Sequence, residues 1–224
     1  KLEELGLTNQ TAIVFFSDNG GYGPATDMAP LKGYKGAYYE GGIREPFFVK
    51  WPGVVEAGTI NETHIIGVDL YPTFLEMTGA TAKDGQVQDG LNLVPLFKGG
   101  TLSERSLFWH FPAYLQSYGG KGPFEQRDPL FRSRPVGVVR HGDWKLMEFF
   151  ESGDLELYNL KQDIGESRNL ANSHPETLRK LHGIMKEWRQ KTGAPIPSDR
   201  NPSFDPVAEK QAIEKALALR KSFP

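Results

Sequence analysis

Two oxygen-bearing side chains follow the first apolar run of this 224-residue chain. Asp18 and Asn19 come just after the run from Thr11 to Phe16 and are followed by Gly20 and Gly21. Ligand sites of α/β sheets lie at the carboxyl ends of strands, and carboxylate and amide oxygens suit Ca²⁺. The alternative is a hairpin with an Asn-Gly turn, but a loop rich in Gly and Pro follows instead of an alternating strand. The pair therefore predicts a metal or anion site in a cleft.

A lysine in the same region has the position of an anion-binding group. Lys35 lies between Gly33 and Gly36, where its compact ammonium could meet an oxyanion. The alternative, which the residues alone favour, is a solvated loop lysine. Arg44, in the turn that follows, is expected to form a structural ion pair.

The elements around these residues are those of an α/β fold. Leu2, Leu5 and Gly6 have the spacing of the last turn of a helix with a glycine cap. The continuous apolar run from Thr11 to Phe16 is typical of a buried parallel strand. A helix that leads into a buried strand is part of an αβ unit, so we expect the chain to begin inside a larger α/β domain.

Further elements follow along the chain, and its character changes near residue 100. Asp69 and Gly79 mark the ends of one helix; Ser173 and Glu176 predict a capping box for another, which Gly193 ends. A hairpin turn is predicted at His141–Asp143. The other predicted segments are strands at 43–51, 106–111, 135–140, 144–150 and 155–160, a helical stretch at 207–221, and loops at 20–36 and 112–134.

Composition excludes several classes of function. Hydrophobic residues make up 38% of the chain, too many for wholesale disorder. The net charge of −2 offers no basic surface, so nucleic acid is not an expected partner. Cysteine is absent, which excludes disulfides, zinc-thiolate sites and a cysteine nucleophile within the chain. No apolar run reaches the ~20 residues of a membrane span, so no membrane is expected either.

Short matches in the same order resemble the second half of the type I sulfatases and cover most of residues 5 to 190. One of these matches begins at Lys35 and ends at Arg44. The matching stretches are Phe16–Gly21, Lys35–Arg44, Trp51–Gly53, Asp69–Thr73, Asp89–Leu93, Leu96–Gly99, Gly142–Leu146, Glu156–Leu160, Asp163–Glu166 and Asn169–Ala171.

The resemblance implies an α/β fold class: the end of an alkaline-phosphatase-like catalytic domain in residues 1–100, then a small antiparallel sheet with a C-terminal helix in residues 101–224. It also implies roles for individual residues. Asp18 and Asn19 correspond to Ca²⁺ ligands, and Lys35 to the lysine that contacts the sulfate. His110, beside aromatic residues that could stack a sugar, is a candidate substrate contact. The alternative for His110 is a structural hydrogen bond in an edge strand.

The chain departs from the family pattern in its nucleophile. In type I sulfatases a Cys or Ser in a C/S-x-P-x-R motif is oxidised to formylglycine, and this sequence contains no such motif. We therefore expect part of a longer sulfatase, acting on a sulfated carbohydrate or aryl sulfate and needing an N-terminal half. The alternatives are a phosphodiesterase or phosphonate hydrolase of the same superfamily, which the Lys35 segment disfavours, and an inactive fragment or binding module. The resemblance implies a periplasmic or secreted location rather than a cytoplasmic one.

Overall fold

A computed structural model describes residues 1–117, 127–199 and 201–221, which form eight strands and five α-helices. The strands are β1 (Ile13–Phe16), β2 (Phe47–Lys50), β3 (Ser106–Phe111), β4 (Leu115–Gln116), β5 (Phe131–Ser133), β6 (Val136–His141), β7 (Trp144–Phe149) and β8 (Leu155–Asn159). The helices are α1 (Glu40–Ile43), α2 (Leu70–Thr78), α3 (Val94–Phe97), α4 (Pro175–Thr192) and α5 (Pro206–Lys221). None of the helices in these ranges combines the length and apolarity needed to cross a bilayer.

Close contacts divide the chain into two units. The first contains Lys1–Asp18 and Pro46–Glu104, and the second contains Asn19–Glu45 together with the described residues from Arg105 onward. The expected domains, residues 1–100 and 101–224, stay a prediction, because a compact unit and a domain of a longer protein are different properties. The loop that carries Asn19 and Lys35 thus belongs to the second unit.

The first unit contains a two-stranded antiparallel sheet. β1 pairs with β2, with Ile13 opposite Lys50 and Phe16 opposite Phe47. The expectation of a buried parallel strand is therefore wrong, since an apolar run indicates burial but not the direction of its partner, and Phe15 is 57% exposed. The expected strand at 43–51 is also shorter, because Glu40–Ile43 forms α1 and only Phe47–Lys50 pairs.

The predicted helix of the first unit is confirmed. α2 follows Asp69 and ends at Gly79, which takes the left-handed φ of 68°. The Asp69 carboxylate does not cap the helix but accepts hydrogen bonds from the backbone N–H groups of Ile66 and Leu91. This buried aspartate therefore holds the following loop against the start of the helix.

The second unit is built on a four-stranded antiparallel sheet in the order β3-β6-β7-β8. The predicted hairpin is confirmed, with His141 opposite Trp144 and Gly142 at a φ of 55°. Both faces are covered. One face packs with residues of α4, and the other packs with Ala37 and Tyr39 from the Lys35 loop.

The start of the helix α4 differs from expectation, whereas its end does not. The capping box is wrong: α4 begins at Pro175, and the Ser173 hydroxyl donates to the carbonyl of Leu170 instead. Proline suits a first helical position, since it has no N–H to satisfy. The predicted end at Gly193 is confirmed by its left-handed φ of 63°.

The loop expected at 112–134 is in part structured. Its central residues, 118–126, lie outside the described residues. On either side of them β4 and β5 pair antiparallel with a register shift. The expected helical stretch at the C-terminal end is present as α5, where Glu209 forms an ion pair with Arg134 at 2.7 Å.

Candidate functional site

Backbone hydrogen bonds hold together the two segments that carry Asn19 and Lys35. The N–H of Gly20, directly after Asn19, donates to the carbonyl of Gly42 at 3.0 Å. The N–H of Lys35 donates to the carbonyl of Gly21 at 2.9 Å. The geometry of both segments is therefore set by main-chain atoms, which have few alternative positions.

Glycines in α1 allow these segments to pack backbone against backbone. A Cβ on Gly41 would lie 2.1 Å from the carbonyl oxygen of Gly33, and a Cβ on Gly42 would lie 2.0 Å from that of Ala37. Neither distance is possible for a real side chain, so the loop around Lys35 can rest on α1 only where both positions are glycine.

A side chain from β5 supports the Lys35 turn from another direction. Arg132 donates from Nη1 to the carbonyl of Lys35 at 3.2 Å and from Nε to the carbonyl of Gln116 at 2.8 Å. The Lys35 side chain itself is exposed. The lysine predicted from sequence thus projects from a turn whose backbone is fixed at several points, and its contact with sulfate stays a prediction.

Asp18 and Asn19 follow β1 as the sequence predicts. The hairpin alternative is wrong, since β1 pairs with β2 and residues 22–27 form no strand. Asp18 is exposed and Asn19 is half-buried. Carboxylate and amide oxygens are donor types that Ca²⁺ accepts, and a cation at this pair stays a prediction. Within residues 1–117, 127–199 and 201–221, no group of three or more His, Cys, Asp or Glu side chains could hold a metal.

His110 lies on the edge strand β3 and packs among aromatic rings. Its ring centroid is 5.3 Å from that of Phe150 and 6.1 Å from that of Trp188. Its Nε2 lies 2.7 Å from the carbonyl oxygen of Pro195, so Nε2 carries the hydrogen and donates it. The expected hydrogen bond is present, and the substrate contact stays a prediction.

Three buried charges that sequence reasoning did not single out lie behind the Lys35 loop. Glu40 is 1% exposed, and Lys145 and Glu166 are 0% exposed. The Lys145 ammonium lies 3.0 Å from Glu40 Oε1 and 2.9 Å from Glu166 Oε1. Arg140 adds a contact to Glu40 at 3.4 Å, and exposed Arg44 forms its expected ion pair with Glu40 at 3.8 Å. We refer to Glu40, Lys145 and Glu166 as the buried cluster.

A signal for the buried cluster was present in the sequence. Its members are charged residues of three separate stretches that resemble the sulfatases, namely Lys35–Arg44, Gly142–Leu146 and Asp163–Glu166. Three charges in three matching stretches suggest a shared site. The sequence alone, however, does not indicate that Glu40 contacts Lys145, 105 positions away, or Glu166, 126 positions away.

The environment of Glu166 is unusual in two ways. Burial raises the pKa of its carboxyl above the ordinary value, although the Lys145 ammonium lowers it in part. Its φ of 50° lies in the left-handed region that favours glycine. A non-glycine residue in this conformation carries strain of about 1–3 kcal/mol and persists where the surroundings hold it in place.

A second anchor joins the Lys35 loop to the sheet. The hydroxyl of Tyr39 donates to Glu156 Oε2 at 2.7 Å, and the hydroxyl of Tyr158 donates to the same oxygen at 2.8 Å. Burial, followed by the charge of Glu156, raises the pKa of both tyrosines, so both stay protonated and donate. The ammonium of Lys32 lies 4.1 Å from the centre of the Tyr39 ring.

Comparison with known proteins gives matches to sulfatases. The family model described as N-sulphoglucosamine sulphohydrolase, C-terminal, matches residues 34–191. A sulfatase of Formosa agariphila is 34% identical over 95% of this chain and 39% of its own length. Human arylsulfatase A is 30% identical over 81% of this chain and 38% of its own length. The chain thus spans about two fifths of the length of these curated relatives.

Solved structures share the fold. Ps i-CgsB in complex with k-i-k-neocarrahexaose has a TM-score of 0.68 and 25% identity over 96% of this chain and 43% of its own. The phosphonate monoester hydrolase of Agrobacterium radiobacter has a TM-score of 0.61 and 24% identity over 85% of this chain and 37% of its own. The second likeness shows the fold alone. Together with the family match over most of the second unit, these similarities confirm the resemblance and its fold class: the chain belongs to the C-terminal family of the sulfatases.

Proposed function

We propose that this chain is the C-terminal part of an enzyme that hydrolyses sulfate esters. The observation that carries the proposal is the loop around Lys35, which lies in the region that matches the sulfatase family and is fixed by main-chain and side-chain contacts. A charge held in place before the substrate arrives stabilises the negative charge of a transition state without reorganisation.

Lys35 is the residue of this chain that we assign to the sulfate group. Its ammonium acts as a compact point charge on a sulfate oxygen, and the backbone of its turn is held by Gly21 and Arg132. A lysine placed in this way orients the ester and withdraws charge from the sulfur-bound oxygens. The nucleophile lies outside this chain, which contains no cysteine and no C/S-x-P-x-R motif.

Asp18 and Asn19 are the residues that would hold Ca²⁺ in the complete enzyme. Both supply hard oxygen donors, and further ligands must come from another part of the protein, since affinity follows the number and charge of ligands. When bound, the ion would neutralise charge on the sulfate. Asp18→Ala should abolish cation-dependent activity of the complete enzyme with little loss of melting temperature in the metal-free protein. Collapse of the metal-free fold would instead show that Asp18 is structural.

The substrate we propose is a sulfated carbohydrate or an aryl sulfate. Ps i-CgsB was solved with a neocarrahexaose, and one human relative is named an arylsulfatase. His110 is proposed to contact the sugar from β3, and a periplasmic or secreted location is proposed on the same family grounds. A phosphonate hydrolase shares the fold, but the family model and the curated relatives favour the sulfate ester.

Kinetics on the complete enzyme test the proposal through Lys35. We expect Lys35→Ala to lower kcat/KM on 4-nitrophenyl sulfate or a sulfated disaccharide by about 100-fold to 1,000-fold. Lys35→Arg should lose at least about tenfold, because a planar fork does not replace a compact ammonium. Melting temperatures should change little, since the side chain is exposed.

Lys161→Ala is the matched control, because Lys161 is an exposed lysine of the same unit. It should keep the activity of the wild type. Near-normal kcat/KM for Lys35→Ala would contradict the anion-binding role. A higher kcat/KM on a phosphonate monoester than on every sulfate ester tested would support the phosphonate hydrolase instead.

A further inference from the structure

The buried cluster fastens both ends of the Lys35 loop to a single residue. At one end, the backbone N–H of Glu40 donates to Glu166 Oε2 at 2.6 Å. At the other end, the ammonium of Lys32 donates to the backbone carbonyl of Glu166 at 3.4 Å. Residues 32 and 40 enclose Lys35, so the contacts of Glu166 restrain the loop on both sides of Lys35.

Lys145 in turn fixes the two carboxylates. It extends from β7, in the middle of the four-stranded sheet, and lies within 3.0 Å of both Glu40 and Glu166. Each carboxylate alone would be a costly buried charge, and an ammonium between them makes both stable only in one geometry. The sheet therefore sets where α1 begins.

The helix α1 in turn contacts the Lys35 turn and restrains its backbone. Glu40 is the first residue of α1, and the N–H of Gly41 donates to the carbonyl of Lys32 at 2.8 Å. The Lys35 segment rests on the α1 glycines with no space between the backbones. Movement of Glu40 must therefore move the backbone from which Lys35 projects.

We propose that Lys145 and Glu166 are positioning residues that act through Lys35 to set the placement of its ammonium on the sulfate group. This inference rests on the proposed function of Lys35. The strained backbone of Glu166 agrees with it, because strained conformations persist where the surrounding contacts hold them and cluster at functional sites. Apolar residues could fill the same volume, but they would not select one orientation of the loop.

A double-mutant cycle between Lys145 and Lys35 tests the proposal in the complete enzyme. With Lys35 present, Lys145→Met should lower kcat/KM on a sulfate ester by about 10-fold to 100-fold, the usual cost of a small misplacement. In the Lys35→Ala background, the same substitution should cost less than about threefold, because the group that it positions is already absent. The inhibition constant of inorganic sulfate should follow the same pattern.

Glu166→Gln provides a second cycle with less effect on folding. Glutamine keeps the size of the side chain and an oxygen that can accept from the Glu40 N–H, but it removes the charge that pairs with Lys145. Assays are run well below the melting temperature of the least stable variant, so that every protein is folded. Lys161→Met is the matched control and should change kcat/KM in neither background.

The outcomes separate this inference from the proposed function. If Lys35→Ala has no effect, the proposed function of Lys35 fails. If Lys35→Ala is impaired but Lys145→Met and Glu166→Gln cost the same factor in both backgrounds, or nothing in either, the positioning role is overturned. If neither variant folds, the cluster serves stability alone, and the positioning role is overturned as well.

Discussion

The two units differ in how far the apolar side chains of their strands are buried. In the β1–β2 sheet, Phe15 and Phe48 form a cross-strand ring pair at 6.1 Å yet remain 57% and 64% exposed. In the four-stranded sheet, Val138, Leu146 and Leu157 are fully buried. Large apolar side chains on strands thus have opposite environments within one chain.

The difference shows that an apolar run predicts a need for burial and does not itself supply a covering surface. The four-stranded sheet has α4 on one face and the Lys35 loop on the other. Two-stranded sheets have little stability of their own in water. The β1–β2 sheet leaves Phe15 and Phe48 exposed, whereas the four-stranded sheet is covered on both faces by residues of this chain.

The largest stability effect is expected in the second sheet. Leu146 is 0% exposed in the core with α4, and its replacement by alanine should lower the free energy of unfolding by about 2–5 kcal/mol. Urea unfolding of the 224-residue chain, followed by circular dichroism, measures the change. Phe48→Ala serves as the contrasting variant and should cost about 1 kcal/mol or less in the same chain.

The difference between the stability costs of Leu146→Ala and Phe48→Ala should be smaller in the complete enzyme that we propose. If another part of the protein covers the β1–β2 sheet, Phe48→Ala will cost more there than in the 224-residue chain. Equal costs for the two substitutions in the 224-residue chain would break the comparison between the units. An equal cost of Phe48→Ala in both proteins would show that its ring stays exposed to solvent.

A smaller effect, which depends on pH, is expected from the buried charges of the second unit. Burial raises the pKa of Glu166, so the folded protein binds this proton more readily than the unfolded chain. The stability that Glu166 contributes is therefore present in full below the ordinary carboxyl pKa and is lost as pH rises through the raised value. Glutamine does not titrate, so Glu166→Gln should gain stability relative to the wild type as pH rises from about 4 to about 7.

Urea unfolding of both proteins across this range measures the difference. Glu40, Lys145 and Lys32 contact Glu166, and these three residues are present in both proteins. A Glu166→Gln variant that loses stability relative to the wild type with rising pH would show that the Lys145 ammonium outweighs burial in setting this pKa.

Local signals in the sequence were sufficient for elements whose interactions lie close together along the chain. The ends of two helices at Gly79 and Gly193, and the hairpin around Gly142, were predictable because caps and tight turns depend on neighbouring residues. The start of α4 at Pro175 was not predicted, because a serine cap at Ser173 and a proline at the first helical position are both typical starts of a helix. The family came from ordered short matches, which also implied the roles of Asp18, Asn19 and Lys35, whereas His110 was a candidate because aromatic residues lie beside it.

Other features depended on the tertiary structure, because they join residues that are remote in sequence. The antiparallel pairing of β1 with β2 and the burial of Lys145 between Glu40 and Glu166 are two of them. The sequence by itself determined which residues are charged, apolar or free to turn, and hence the local elements and the family. Only the tertiary structure decided which charges meet, because the cost of burying a charge disappears only where a distant partner arrives in the right geometry.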